Sequence, residues 1–121
     1  MTPTDPRFSL SLCAADSIPE GSALKVEVAD LVLAVFHLGE KFYVTDDACT
    51  HGPGSLSEGE IDGDCIECDF HNGVFHIPTG RVEAPPCMVA LNTYDVAMVE
   101  GQVFIDPTPR NVDTCPAAAN A

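Results

Sequence analysis

Basic residues are scarce in this chain. Of its 121 residues only five are Lys or Arg, whereas nineteen are Asp or Glu, and the formal net charge is −14. Binding to the phosphate backbone of a nucleic acid needs many basic side chains, so this composition excludes a nucleic-acid-binding protein. It favours a soluble protein whose partners carry basic surfaces.

Long apolar runs are also absent. No segment approaches the ~20 consecutive apolar residues of a membrane-spanning helix, so we expect no membrane association. Residues 1–12 contain Pro3, Asp5 and Pro6 and lack the basic start and apolar stretch of a signal peptide. We therefore expect a cytoplasmic protein, in which the six cysteines stay reduced and serve metals more often than disulfides.

Turn-forming residues are abundant, with ten Pro and nine Gly. They favour short strands joined by turns over long helices. Alternating or β-rich apolar segments predict strands over residues 8–12, 24–28, 31–38, 41–45, 66–68, 73–77, 92–99 and 102–106. Ala29-Asp30, Gly39-Glu40 and Glu100-Gly101 are the predicted turns between successive strands. The pattern as a whole predicts an all-β fold of short antiparallel strands, arranged as a sandwich or a barrel.

The length of the chain fits one domain with a small core. We expect this domain to cover residues 1–112 and the Pro- and Ala-rich residues 113–121 to form a flexible tail. Within the domain, residues 46–83 differ in character because they carry paired Cys and His residues and several Gly- and Pro-containing turns. We interpret them as an inserted subdomain that binds a metal cluster.

Metal-ligand residue types occur in two short pairs, Cys49-Thr50-His51 and Cys68-Asp69-Phe70-His71, with sixteen residues between them. Two thiolates and two imidazoles in this order are the ligands of a Rieske 2Fe–2S centre, in which the Cys pair binds one iron and the His pair the other. We therefore predict Cys49, His51, Cys68 and His71 as the ligands of one 2Fe–2S cluster.

Zinc is the alternative metal, since Cys and His also form zinc sites and Cys65 and Cys68 have the C-x-x-C spacing. If Ile66 points inward on a strand, however, Cys68 shares its side while Cys65 and Glu67 face the other way. That geometry separates Cys65 from the cluster ligands. A small zinc-stabilised binding module thus stays open as an alternative, which the visible spectrum of the purified protein would decide.

The remaining Cys and His residues are interpreted as structural. His37 lies in an apolar strand and His76 between Phe75 and Ile77. The other four cysteines are interpreted as small hydrophobic residues or free thiols: Cys13, Cys65, Cys87 and Cys115.

Over nearly its whole length the chain resembles the Rieske ferredoxins of bacterial aromatic-ring-hydroxylating dioxygenase systems. The motifs that carry this resemblance are Cys49-Thr50-His51-Gly52, Ser55-Leu56-Ser57-Glu58-Gly59, Ile66-Glu67-Cys68, His71-Asn72-Gly73-Val74-Phe75 and Thr79-Gly80. The resemblance implies a three-sheet β fold with the cluster at one end and Pro86 in a loop that covers it. It implies an electron carrier, not an enzyme, that receives electrons from a flavin-dependent ferredoxin reductase and delivers them to a terminal Rieske oxygenase in aromatic hydrocarbon catabolism. We expect this carrier to be a monomer.

Four positions bear on the subfamily. Gly54 and Phe70 stand where the high-potential respiratory Rieske class, by resemblance, has the cysteines of a disulfide between its ligand loops, so that bridge cannot form. A reduction potential in the lower part of the Rieske range of about −150 to +300 mV is therefore expected. Asp69 replaces a Pro that is frequent after the second Cys, and His76 stands where an acidic residue is common. A Rieske carrier of another redox system stays open as an alternative.

Acidic residues surround the predicted ligands. Between residues 46 and 69 there are eight Asp and Glu and no Lys or Arg: Asp46, Asp47, Glu58, Glu60, Asp62, Asp64, Glu67 and Asp69. A negative docking surface near the cluster is the expectation, because surface charge of one sign steers the encounter with an oppositely charged partner.

Overall fold

The structure is a computed structural model that describes residues 6–48, 54–68, 73–84 and 90–110. In these residues eleven strands form three antiparallel sheets. The strands are β1 Leu10–Ala14, β2 Ser22–Val28, β3 Leu31–Leu38, β4 Lys41–Asp46, β5 Glu60–Asp62, β6 Cys65–Glu67, β7 Val74–His76, β8 Val82–Ala84, β9 Thr93–Tyr94, β10 Val96–Val99 and β11 Gln102–Ile105. Two short 3-10 turns cover Ala15–Ser17 and Leu56–Glu58. The predicted three-sheet all-β fold is confirmed.

The sheet order places the first and the last described strands side by side. The first sheet has the order β1-β11-β10, the second β2-β3-β4-β9 and the third β5-β6-β7-β8. The third sheet is a simple meander, in which each strand pairs with the next one along the chain. Neighbouring strands of this kind need only short connections.

The predicted turns are confirmed by their backbone angles. Ala29 and Asp30 both have positive φ, 50° and 67°, as do Glu100 and Gly101, 51° and 80°. Two consecutive residues with positive φ are the type I′ geometry that suits the twist of an antiparallel hairpin. At the β3–β4 turn only Gly39 has a positive φ, 62°.

The core has two parts that meet at β3. Leu33 and Val35 point to one side of the second sheet and pack with residues of the first sheet such as Ile105. Ala34 and Phe36 point to the other side and pack with residues of the third sheet. All four β3 side chains are fully buried, which explains why β3 reads as a continuous apolar run rather than an alternating one.

The prediction of one strand over residues 92–99 was wrong. The chain changes sheets at Asp95, because Tyr94 pairs with Val44 in the second sheet whereas Val96 pairs with Ile105 in the first. The Asp95 carboxylate accepts hydrogen bonds from the guanidinium groups of two arginines distant in sequence, Arg7 and Arg110. The alternation of apolar and polar residues continues through residues 92–99, so the sequence pattern does not reveal the change of sheet at Asp95.

Two of the strands in the third sheet, β5 and β8, were not predicted. Each has only three residues and includes acidic side chains, which are unfavourable in strands. Strand β1 also begins at Leu10 rather than at residue 8, and its pairing with β11 is irregular between Ser11 and Cys13.

The boundaries of the 46–83 subdomain stay a prediction, and the predicted tail over 113–121 lies outside the described residues. No helix within the described part of the chain has the length and apolar character needed to cross a membrane.

Candidate metal centre

Cys68 is the one predicted ligand that the structure describes; Cys49, His51 and His71 lie outside the described residues. Cys68 directly follows β6 and is 1% exposed. Its side chain belongs to the same buried cluster as Ile66, whereas Cys65 is only half-buried. The prediction that Cys68 and Ile66 share the inner side of the strand, with Cys65 turned away, is confirmed.

The second ligand pair, Cys68 and His71, lies in the connection between β6 and β7. Glu67 pairs with Val74, and one residue further the Cys68 N–H donates a hydrogen bond to the Gly73 carbonyl at 2.7 Å. The four residues 69–72 therefore connect two backbone positions that the sheet holds in register. His71 lies within this connection, two residues before Gly73.

The first ligand pair lies in a connection of similar construction. Ala48 and Ser55 form an isolated antiparallel bridge, and the Leu56 N–H donates to the Asp47 carbonyl at 2.8 Å. Residues 49–54 join these paired positions and include Cys49 and His51.

The bases of the two connections pack on one core. Leu56, at the end of the first connection, is fully buried and belongs to the same cluster as Cys68, at the start of the second. Phe75 of β7 and the following Ile77 belong to the same cluster, as do Ala34 and Phe36 of β3. A buried thiol at this position, with a second Cys and two His within a few residues of the two bases, fits the donor set of a Rieske 2Fe–2S cluster.

The side chains of the two other histidines, His37 and His76, make contacts within the fold. The His37 Nδ1–H donates to the Ile18 carbonyl at 2.8 Å, and the ring stacks on Phe42 with 4.1 Å between centroids. His76 Nδ1 is hydrogen-bonded to the Thr79 hydroxyl at 2.7 Å, and its Nε2 lies 3.5 Å from the Asp64 carboxylate. Both were predicted to be structural, and the contacts confirm this. In the described ranges no three His, Cys, Asp or Glu residues are grouped so that they could hold a metal ion.

Two other cysteines, Cys13 and Cys65, lie in the described residues. Burial raises the pKa of the Cys65 thiol, and the nearby carboxylates of Glu83, Asp64 and Asp62 raise it further. Burial also raises the pKa of Cys13. Neither thiol belongs to the buried cluster that contains Cys68. Cys87 and Cys115 lie outside the described residues.

The outer face of the third sheet is acidic. Glu60 and Glu67 stand directly opposite each other on β5 and β6, and Asp62 stands opposite Cys65. Glu60 and Asp62 are exposed, as is Asp64 in the turn between the two strands. Like charges at directly opposed positions destabilise a sheet, so the Glu60–Glu67 pair brings no stability to the fold.

Two of the eight acidic residues do not belong to this exposed surface. Asp47 is 3% exposed. The Asp46 carboxylate accepts hydrogen bonds from Asn92 Nδ2 at 2.9 Å and from the Tyr94 hydroxyl at 2.6 Å. Burial, together with that hydrogen bond and the negative charge of Asp46, raises the pKa of Tyr94. The sequence contains no local signal for these roles, because the partners of Asp46 are distant along the chain.

The family model of the Rieske [2Fe-2S] domain matches residues 9–95. The chain therefore belongs to the Rieske [2Fe–2S] family and holds one Rieske-type 2Fe–2S cluster. That it is an electron carrier and not an enzyme follows from its relatives, which are ferredoxin components. Membership in this family leaves no support for the zinc-module alternative.

Two similar curated proteins are ferredoxins. The chain is 45% identical over 97 residues to ferredoxin CarAc of Metapseudomonas resinovorans, with 79% of this chain and 91% of that protein covered. It is 41% identical over 99 residues to the ferredoxin component of the p-cumate 2,3-dioxygenase system of Pseudomonas putida, with 80% and 84% covered. Among solved structures, it is similar to a chain of the complex of reduced oxygenase and oxidized ferredoxin in carbazole 1,9a-dioxygenase. The TM-score is 0.78 and the identity 43%, over 84% of this chain and 94% of that chain.

Proposed function

We propose that Cys49, His51, Cys68 and His71 hold the cluster, and that the chain carries electrons one at a time within an aromatic-ring-hydroxylating dioxygenase system. Its donor is a flavin-dependent ferredoxin reductase and its acceptor a terminal Rieske oxygenase, and it acts as a monomer in the cytoplasm. The assignment to a dioxygenase system is supported by the names of similar proteins, among them the ferredoxin component of the p-cumate 2,3-dioxygenase system. The observation that carries the ligand assignment is the buried Cys68 thiol, which shares one core cluster with Leu56 at the end of the first ligand connection.

A Rieske cluster accepts and releases one electron when bound. Cys49 and Cys68 would bind through thiolate sulfur, and His51 and His71 through neutral imidazole nitrogen. The protein contributes shielding on the Cys68 side, where Leu56, Ile66 and Phe75 are all fully buried and exclude water. The hydrophobic surroundings of a metal site control its solvent access and hence its reduction potential.

The exposed carboxylates of the third sheet suit a partner with a basic docking surface. Glu60, Asp62, Asp64 and Glu67 lie on the β5–β6 hairpin, whose second strand leads directly into Cys68. In the described part of the chain the carboxylates of Glu60 and Glu67 take part in no salt bridge. Their charge therefore remains available to steer an approaching partner.

We expect electron transfer to at least one partner to slow by about tenfold as ionic strength rises from a few millimolar to about 0.5 M, because salt screens charges beyond ~10 Å at 0.1 M. The measurement is reduction of the oxygenase by NAD(P)H, with the reductase and oxygenase encoded in the same genome. The double variant Glu60→Gln/Glu67→Gln should be slower than the wild type at low salt and less dependent on salt.

Glu27→Gln is the matched control, because Glu27 is an exposed carboxylate on β2 in a different sheet. It should transfer electrons at the wild-type rate. Removal of the opposed charges of Glu60 and Glu67 should also stabilise the sheet slightly, so slower transfer by the double variant could not be attributed to unfolding. A rate that does not depend on salt, or equal slowing by the control, would contradict electrostatic docking; an oxygenase that stays oxidised would contradict the proposed function itself.

A further inference from the structure

Asp47 is a buried carboxylate close to the first ligand pair. Thr45 and Asp47 are the buried polar side chains of the described residues, at 0% and 3% exposure. An ionised carboxylate is expensive to bury unless hydrogen bonds compensate for the lost water. Asp47 lies two residues before Cys49, so its Cα is within about 7 Å of the Cα of that predicted ligand.

All the polar groups of Asp47 are hydrogen-bonded. Its N–H donates to the Val32 carbonyl of β3 at 3.0 Å, and its carbonyl accepts from the Leu56 N–H at 2.8 Å. Its carboxylate accepts from the Ser55 hydroxyl at 2.6 Å through Oδ2 and from the Ser57 N–H at 2.8 Å through Oδ1. The residue thus joins β3, in the middle of the fold, to residues 55–57.

These hydrogen bonds span the connection that carries Cys49 and His51. The connection comprises residues 49–54, and the two side-chain hydrogen bonds of Asp47 reach Ser55 and Ser57, just beyond its end. Hydrogen bonds to an ionised acceptor are roughly twice as strong as neutral ones, and two of them on one rigid carboxylate fix direction as well as distance. The backbone bridge between Ala48 and Ser55 is therefore reinforced by an oriented side-chain clamp.

We infer that Asp47, through Ser55 and Ser57, is a positioning residue that fixes the first ligand connection and so the geometry in which Cys49 and His51 bind. This inference rests on the proposed ligand assignment. The carboxylate acts through the chain segment that presents the ligands and is not itself a ligand.

The neighbouring Asp46 provides a matched comparison. Its carboxylate also accepts two hydrogen bonds, but from Asn92 and from Tyr94 of β9, not from residues 55–57. Asp46 and Asp47 are therefore both carboxylates within three residues of Cys49 in the sequence, and of the two only Asp47 holds residues 55–57.

The test compares Asp47→Ala, Asp47→Asn, Ser55→Ala and Asp46→Asn in the cluster-loaded protein. The readouts are the g-values of the reduced protein in electron paramagnetic resonance and the rate of iron release to a chelator. Ser55→Ala keeps the negative charge and removes one bond of the clamp. Asp47→Asn removes the charge but keeps an oxygen that can accept from Ser57 and an amide that can donate to Ser55.

We expect Asp47→Ala and Ser55→Ala to shift the g-values and to release iron about tenfold faster or more, because the first removes both side-chain hydrogen bonds of the clamp and the second removes one of them from the buried Asp47 carboxylate. Asp47→Asn should recover most of the wild-type behaviour, and Asp46→Asn should match the wild type in both readouts. If Asp47→Ala does not fold, Ser55→Ala decides the outcome. Wild-type g-values and iron release in Ser55→Ala would overturn the inference, as would equal changes in Asp46→Asn. Retention of the cluster in the Cys49→Ser variant would instead overturn the ligand assignment.

Discussion

Cys68→Ser is expected to abolish bound iron and visible absorbance. Soft thiolate sulfur is the donor that iron–sulfur clusters require, and a serine hydroxyl is a poor substitute. Cys65 offers no replacement, because it faces away from the core side on which Cys68 lies. Cys49→Ser should lose the cluster equally. Since metal binding is coupled to folding in small metal-binding domains, the apoproteins should also be less stable than the loaded wild type.

Cys65→Ser is the control for this loss. It introduces the same substitution three residues earlier, at a half-buried position on the opposite side of β6, and should retain full iron content. Iron analysis and the absorption spectrum of the three variants provide the comparison. Full iron in Cys68→Ser would refute the ligand assignment, whereas loss of iron in Cys65→Ser would indicate that Cys65 and Cys68 bind metal together.

Gly80→Ala is expected to have the second-largest effect, on stability. Gly80 has a φ of +76°, and its carbonyl accepts from the Leu91 N–H at 2.8 Å. A Cβ atom here would lie 2.5 Å from the Leu91 carbonyl oxygen and 3.1 Å from Thr93 Cγ2. The left-handed conformation costs a non-glycine residue about 1–2 kcal/mol. The backbone clash adds about 1–3 kcal/mol more, as in overpacked cores.

Gly63→Ala separates these two contributions. Gly63 also has a positive φ, +63°, but nothing lies within 4 Å of its Cβ position. The melting temperature of the cluster-loaded protein should fall by roughly 5–10 °C in Gly63→Ala and by about twice that or more in Gly80→Ala, on the scale of 4–8 °C per kcal/mol for small domains. Equal losses in the two variants would show that the contact between Gly80 and residues 91–93 is not close enough to matter.

Features with a local physical cause could be predicted from the sequence. The turns at Ala29-Asp30 and Glu100-Gly101 follow from residue type and the flanking apolar runs, and both have the expected positive φ. The opposite orientation of Cys65 and Cys68 follows from the two-residue period of a strand. The ligand pairs follow from donor chemistry and spacing, although Cys49, His51 and His71, like Pro86, lie outside the described residues and stay predictions.

Features that depend on distant partners could not be predicted. Asp46 and Asp47 were grouped with the exposed carboxylates because acidic residues are mostly on the surface. Their actual roles depend on Tyr94, which is 48 residues away, and on Ser55 and Ser57 across the ligand connection. The break at Asp95 has the same origin, because pairing with two different sheets, rather than local composition, ends one strand and starts the next.

Nitrogen hyperfine spectroscopy on the reduced, 15N-histidine-labelled protein tests the central claim most directly. A Rieske centre bound by His51 and His71 should show coupling to two histidine nitrogens, together with two irons per chain. His37 and His76 should contribute none, because both rings are hydrogen-bonded within the fold. An iron–sulfur signal without histidine coupling, or a colourless protein that contains zinc, would contradict the assignment of this chain as a Rieske electron carrier with these four ligands.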